Sequence, residues 1–132
     1  RFRVTGLDAD KYAFRTPSLR NVALTGPWGH AGAYSNLKSF IAAHADPRAA
    51  LINYDRSGVI LTDFNIVDWA IMDNPGEVQA IADAVRIKPV AVSSDDVLAL
   101  VAFLENLTDT AAQNGRLGIP KSVPSGLKVP NP

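Results

Sequence analysis

The amino-acid sequence predicts a mainly α-helical fold with long ordered loops. Two stretches place apolar residues at the i, i+3, i+4 and i+7 spacing of one helix face, and a third, SSDDVLALVAFLENLTD from Ser93, traces a longer face of the same kind. No stretch shows convincing alternation of apolar and polar residues, the pattern of a half-buried strand. There are no internal repeats and no linker that would suggest a second domain, so we expect the 132 residues to form one domain.

The first predicted helix follows Ser35, a good N-cap, and is ended by Pro47. His44 shares the apolar face of this helix, so we expect it to lie on the buried side. The residues of that face are Leu37, Phe40, Ile41 and His44.

The second predicted helix covers about residues 77–86, after a turn at Pro75-Gly76 and before a stop at Pro89. Its face consists of Val78, Ile81, Ala82 and Val85.

The third helix is capped by Ser93 or Ser94. Asp95 and Asp96 lie in its first turn, where the helix dipole favours negative charge.

The remaining segments are predicted to be irregular. Residues 1–16 should form a loop with short extended pieces, and Pro17 could open a helical turn. TGPWGHAG, from Thr25, should be irregular because of its prolines and glycines. Residues 47–75 should mix short helical turns with loops, and the Gly/Pro-rich residues 110–132 should form an extended strap.

Composition excludes several classes of function. Lys+Arg and Asp+Glu are equal at 13 each, which argues against a nucleic-acid binder. No apolar run approaches the roughly 18 residues of a membrane span, and no signal peptide is present at the start. Arg1 is not an initiator residue, so we expect a processed or cut N-terminus. The absence of cysteine excludes disulfides, thiolate metal sites and a cysteine nucleophile.

Other chemistry-bearing patterns are also missing. There is no G-x-S-x-G and no phosphate-binding glycine loop. The aspartates of DFNIVDWAIMDN, from Asp63, lack the alternation of a calcium-binding loop, so a solvated face is the simpler interpretation.

Both histidines, His30 and His44, lie in one short region of the chain. His44 is either a core histidine, a histidine whose charge meets the negative end of the helix dipole, or a metal ligand. His30, in the Gly/Pro loop, could anchor that loop. A zinc site would need further ligands, and none has suitable spacing.

Five other side chains have an ordinary interpretation and a functional one. Arg15 and Arg20 are either surface residues or forked contacts to an anion. Trp28 and Trp69 are loop anchors or redox relays. The single methionine, Met72, fills the core or ligates a soft metal.

Four stretches of the chain together resemble the C-terminal haem domain of bacterial di-haem cytochrome c peroxidases and their MauG-like relatives. In chain order they are FRTPSLRNV, PWGHAG, DDVLALVAFLENLTD and VPSGL. The resemblance covers roughly residues 1–47 and 93–128, and it leaves 48–92 as an insertion-like segment without a role. The residues that fit the family pattern are Arg15, Pro17, Leu19, Arg20, Asn21, Pro27, Trp28, His30, Gly32, Leu37, Phe103, Leu104, Leu107 and Thr108.

The resemblance implies a cytochrome-c-like helical haem domain, of which this chain is the C-terminal part. Members of the family attach haem c through a C-x-x-C-H that lies upstream of the residues present here. This chain has no cysteine, so the resemblance implies a fragment that cannot attach haem covalently by itself. No catalytic residue is expected within it, because peroxide binds at the other haem.

The resemblance also assigns the histidines. In the family a distal methionine, or a tyrosine in MauG, follows the loop histidine by fourteen residues, and here that position is His44. His44 is therefore expected as an axial haem ligand, with Met72 as the alternative. His30 and Trp28 would lie near the haem, and Arg20 would face a propionate. A family calcium site implies the backbone carbonyls of Thr25 and Pro27 as ligands.

The implied function is that of an oxidoreductase which reduces hydrogen peroxide or uses it to oxidise a substrate. A histidine in place of methionine should lower the haem potential, which favours a MauG-like task. Implied partners are an N-terminal haem domain, a cytochrome or cupredoxin donor or a protein substrate, and a second copy in a homodimer, all in the periplasm. The alternatives are a mono-haem electron-transfer module and a haem-free binding domain on the same scaffold.

Overall fold

The computed structural model describes residues 1–59 and 68–129. These residues form α-helices, short 3-10 turns and irregular loops, and no strand occurs among them, which confirms the mainly α-helical fold. None of the described helices is long and apolar enough to cross a membrane. The helices are α1 (Phe2–Thr5), α2 (Leu37–Ala45), α3 (Pro47–Ile52), α4 (Pro75–Ala84), α5 (Ser94–Asn106) and α6 (Thr110–Asn114).

The N-terminal region is more helical than predicted. Residues 1–16 contain α1 and a 3-10 turn at Asp8–Asp10 instead of extended pieces. Gly6 ends α1 in the left-handed conformation, at φ 69°, which glycine adopts without steric cost. The helical turn expected at Pro17 is wrong, because the turn comes later, at Val22–Leu24.

Asparagine and aspartate cap the central helices. Asn36, not Ser35, caps α2, and its Oδ1 accepts a hydrogen bond from the backbone N–H of Ser39 at 3.2 Å. Asp46 caps α3 in the same way and is followed directly by Pro47. Pro47 therefore begins a helix as well as following one, because the first helical position needs no backbone N–H donor.

The same rule corrects the second predicted helix. Asn74 caps α4, and Pro75 and Gly76 are its first two residues instead of a separate turn. The side-chain oxygen of Asn74 accepts from the N–H groups of Gly76 and Glu77. A Pro-Gly pair predicts a turn only where no capping residue precedes it.

Helix α5 confirms the third prediction. Ser93 is its N-cap and forms a reciprocal capping box with Asp96. The Ser93 backbone N–H and hydroxyl both donate to the Asp96 carboxylate, at 2.9 and 2.7 Å, and these bonds hold the pKa of Asp96 below its ordinary value.

The C-terminal region begins with helix, not with an extended strap. Asp109 caps α6 by accepting from the N–H groups of Ala111 and Ala112. A 3-10 turn at Arg116–Gly118 follows, and the described residues beyond it are irregular. The predictions for residues 60–67, within the insertion-like segment, and for 130–132, at the end of the strap, lie outside the described residues.

The helices are assembled around α2. It packs against α5 on one side and α3 on the other, α3 packs against α4, and the Val22–Leu24 turn packs against α5. Arg48 of α3 donates to the carbonyl of Ala82 at 3.1 Å and forms an ion pair with Asp83 at 3.2 Å, so it ties α3 to the end of α4.

Little of this apolar surface is covered. Among the described residues only Ala82 and Val97 count as buried hydrophobics, at 1% and 5% exposure. The chain exposes 10103 Å², whereas a compact monomer of its mass would expose roughly 6,700 Å². Large side chains such as Leu100 and Phe103 on α5 are about half exposed, at 43% and 55%. These helices therefore present apolar surface that the chain itself does not cover.

The capping box of α5 gives a first prediction. In the full-length protein, Ser93→Ala should lower the free energy of unfolding by about 1 kcal/mol, because the N–H of Asp96 loses its hydroxyl partner. Urea denaturation measures this. Ser94→Ala is the matched control, since Ser94 lies inside the helix and makes no cap bond. Equal effects of the two substitutions would contradict the capping role.

Candidate functional site

His44 lies near the end of α2 and is exposed to solvent. The expectation that it is buried is therefore wrong for this chain. The other residues of its face, Leu37, Phe40 and Ile41, are half-buried. Helical periodicity identified the apolar face correctly, but burial depends on what covers the face, and in the described chain the His44 side chain stays exposed despite its contact with Phe40.

The imidazole of His44 is held in one orientation by Phe40. Its Nδ1 lies 2.7 Å from the carbonyl oxygen of Phe40, one turn earlier in the helix. Because a carbonyl can only accept, Nδ1 carries a proton, and in the neutral imidazole Nε2 then keeps its lone pair. The Phe40 ring meets the imidazole edge to face, with 4.5 Å between ring centroids. Metal-ligating histidines are commonly oriented by such a bond from the other ring nitrogen to a carbonyl oxygen.

The loop before α2 is closed by Trp28 and Tyr34. Their backbones exchange two hydrogen bonds, of 2.8 and 2.9 Å, and the indole N–H of Trp28 donates to the Val22 carbonyl at 2.8 Å. Gly29, at φ 81°, brings the loop close to α2, because a Cβ there would lie 3.3 Å from the Phe40 ring. Trp28 is thus a loop anchor in this structure.

His30 lies in this loop and is exposed. Its ring stacks on Phe14, with 4.6 Å between centroids, and Phe14 is itself 66% exposed. The described residues contain no group of three or more His, Cys, Asp or Glu side chains that could hold a metal ion. A metal site built from side chains of these residues alone therefore has no support.

Sequence reasoning missed a run of aromatic rings that leads away from Phe40. Ring centroids lie 5.4 Å apart for Phe40 and Tyr34, 5.6 Å for Tyr34 and Tyr54, and 6.2 Å for Tyr54 and Trp69. The Tyr54 hydroxyl also donates to the carbonyl of Ala33. Tyr54 lies in a segment without periodicity, so no sequence signal paired it with Tyr34.

Burial raises the pKa of the Tyr34 phenol above its ordinary value. Burial also raises the pKa of Tyr54, and the nearby Tyr34 and Asp55 add to the effect. Both phenols are therefore protonated at neutral pH, and the Tyr54 hydroxyl is a permanent donor.

Arg20 and Asn21 attach the loop to the end of α5. Arg20 forms an ion pair with Asp109, the Asn21 N–H donates to the Leu107 carbonyl at 3.1 Å, and the Asn21 side-chain oxygen accepts from the Asp109 N–H at 2.6 Å. The Arg20 bond, followed by those from Ala112 and Ala111, holds the pKa of Asp109 below its ordinary value. The guanidinium of Arg20 is therefore engaged, although its side chain is 70% exposed.

The other predicted residues are placed as follows. Thr25 and Pro27 are exposed, and within residues 1–59 and 68–129 no hydrogen bond to their carbonyl oxygens is present. Met72 is half-buried in the turn before α4. Arg15 is exposed and lies in a stretch without regular structure.

A cavity of about 410 Å³ lies between α2 and α3. Ser39, Ala42 and Ala43 line it, and at helical spacing they occupy the side of α2 away from His44. The cavity is thus separate from the surface that presents the imidazole.

Comparison with curated proteins gives a local match to the cytochrome c551 peroxidase of Pseudomonas aeruginosa, with 50% identity over 42 residues. The match covers 32% of this chain and 12% of the relative's length. No family model matches the chain, and no solved structure matches it significantly. The match suggests a relationship to cytochrome c peroxidases over a short segment.

The contact between Arg20 and Asp109 gives a second prediction. In the full-length protein, Arg20→Ala should raise the pKa of Asp109 towards its ordinary value, because the first of the bonds that lower it is lost. Carboxyl ¹³C NMR titration measures this, and Arg15→Ala is the matched control.

The sign of the pH effect follows from the lowered native pKa. Asp109 contributes its full stabilisation above the unfolded-state pKa and loses it as pH falls through the native value. In the Arg20→Ala variant, acidification should therefore lower the free energy of unfolding by less than it does in the unsubstituted protein. Arg15→Ala should leave this pH dependence unchanged. An unaltered Asp109 titration in the Arg20 variant would contradict the ion pair.

Proposed function

We propose that this chain is the haem-contacting, electron-transferring part of a peroxidase-type oxidoreductase, with His44 as an axial haem ligand. The observation that carries the proposal is the state of His44, whose Nδ1 is bound to the Phe40 carbonyl while the imidazole is exposed. The 42-residue match to a cytochrome c peroxidase supports the same interpretation.

The surface near His44 suits a large apolar cofactor. The imidazole occupies the same helix face as Leu37, Phe40 and Ile41, and α5, which packs on this helix, leaves Leu100 and Phe103 partly exposed. Burying apolar surface stabilises by about 25 cal/mol per Å², so side chains left partly uncovered favour association with an apolar group. Haem c would also need cysteines, which would come from outside these 132 residues.

Arg20 is the residue we assign to a haem propionate. One of its terminal nitrogens contacts Asp109, but a guanidinium has five N–H donors and this side chain is largely exposed. It can therefore hold the loop against α5 and still donate to a second carboxylate.

The loop residues complete the proposed site. His30 and Trp28 would border the haem edge or a domain interface. The exposed carbonyl groups of Thr25 and Pro27 would ligate calcium, a cation that takes backbone oxygens.

Bound haem would supply one-electron chemistry at the iron. Two imidazole ligands lower the potential relative to a histidine–methionine pair, so the chain would suit the storage of oxidising equivalents better than a high-potential reservoir. The whole protein would then reduce hydrogen peroxide, or use it to oxidise a substrate, at a second haem outside this chain. A small cytochrome or cupredoxin, or a protein substrate, would exchange electrons with it in the periplasm.

The ligand assignment gives a third prediction. In the full-length, haem-loaded protein, His44→Ala should convert a six-coordinate low-spin absorption spectrum into a high-spin one, because the iron loses a strong-field ligand. His30→Ala is the matched control and should leave the spin state unchanged. An unchanged spectrum in the His44 variant would remove it from the coordination sphere and make Met72 the next candidate.

Haem stoichiometry separates the proposal from its alternatives. A pyridine haemochrome assay on the full-length protein should give two haems per chain. One haem would indicate a mono-haem electron-transfer module, and the absence of a Soret band in matured protein would leave a haem-free domain on the same scaffold.

A further inference from the structure

We propose that one segment of the chain holds His44 in position. It is the segment to which the family resemblance gives no role. We call the described part of this segment, residues 48–59 and 68–92, the brace. The inference rests on the proposed function, since it concerns the same imidazole. It assigns Tyr54 as a positioning residue that acts through Tyr34 and Phe40.

The brace contacts the chain just before α2. The Tyr54 hydroxyl donates to the Ala33 carbonyl, and its ring meets Tyr34 edge to face, with 5.6 Å between centroids and 76° between planes. Ala33 and Tyr34 lie shortly before Asn36, the cap of α2. Tyr54 therefore fixes both the backbone and the ring at the entrance to the helix.

Tyr34 passes this constraint to Phe40. Their ring centroids lie 5.4 Å apart, and Gly29 lies close to both rings, since a Cβ added there would lie 3.2 Å from Tyr34 and 3.3 Å from Phe40. Phe40 in turn holds His44 twice, through its carbonyl oxygen and through its ring. A displaced Tyr34 ring would thus release Phe40 and, with it, the imidazole.

The brace also contacts the chain just after His44. The N–H of Val90 donates to the Ala45 carbonyl at 2.8 Å. The last four carbonyls of a helix have no intrahelical donor, so this bond satisfies one of them and holds the final turn of α2. The helix that carries His44 is therefore held at both ends by one segment.

Further contacts make the brace a unit. Helix α3 packs on both α2 and α4, and its Arg48 binds Ala82 and Asp83 of α4. These contacts connect the two points at which the brace is attached to the rest of the chain. The Trp69 ring packs against Tyr54, with 6.2 Å between ring centroids. The guanidinium of Arg56 covers the Trp69 ring, 5.0 Å from its centroid. Arg56 is held by Asp73 at 2.6 Å.

The consequence concerns how firmly His44 can hold a metal. Partners of a ligating histidine fix its tautomer and ring orientation, and losing them weakens the metal bond. Tyr54→Phe keeps every ring contact and removes only the hydroxyl, so it tests the outer end of this network without opening a cavity.

Cyanide affinity of the full-length, haem-loaded protein is the measurement. Cyanide must displace His44 from the iron, so its apparent affinity rises as the His44-bound state becomes less favoured. Tyr54→Phe should raise that affinity roughly fivefold, the equilibrium equivalent of one neutral hydrogen bond. The low-spin electron paramagnetic resonance signal should broaden, since the imidazole is no longer held in one orientation.

Tyr12→Phe is the matched control. Its hydroxyl donates to Glu77 of α4 at 3.5 Å, a bond of the brace that does not involve Tyr54, Tyr34 or Phe40, and cyanide affinity should not change. Trp69→Leu is a second test, which weakens the support of Tyr54 while leaving its bond to Ala33, and should give a smaller rise in affinity.

Two outcomes would overturn the inference, and they differ. If His44→Ala changes the haem spectrum but Tyr54→Phe only lowers the melting temperature and leaves cyanide affinity as in Tyr12→Phe, the brace is merely structural. If His44→Ala itself changes neither the spectrum nor cyanide affinity, the ligand assignment of the proposed function fails, and the positioning role of Tyr54 fails with it.

Discussion

The packing of α2 against α5 is the contact on which the rest of the structure depends. Val97, one of the two buried hydrophobic residues of the described chain, belongs to α5. The loop that carries both Trp28 and His30 leads into α2, and the pair formed by Arg20 and Asp109 attaches the start of that loop to the end of α5. Loosening the helix pair would therefore displace the loop and the exposed imidazole together.

Sequence periodicity predicted the three longest helices because each has an apolar face that packing uses. Their starting residues were harder to predict, since Pro47 and Pro75 can end one element or begin the next. The capping side chains of Asp46 and Asn74 decide between these possibilities, and their hydrogen bonds are local enough for a sequence pattern to include them. At α2 the cap is Asn36 and not the predicted Ser35, because the Asn36 side chain accepts the capping hydrogen bond. The prediction differed from the structure by one residue.

The sequence places His44 on the apolar face of α2 but does not predict its environment. The face of α2 shows that His44 lies among apolar residues, yet no pattern in the sequence says what lies opposite. The partner of Nδ1 follows from helix geometry alone, because the carbonyl four residues earlier is within reach. In contrast, Tyr54 meets Ala33 across 21 positions of the chain, and such a contact exists only after the helices have packed.

The exposed apolar surface on α5 has a consequence for the life of the protein in the cell. Proteases and chaperones recognise such surface, and a chain that leaves Leu100 and Phe103 uncovered would be their substrate. A contact that covers these side chains would then slow degradation. Substitutions that leave this face more exposed would reduce the amount of protein before they altered its chemistry.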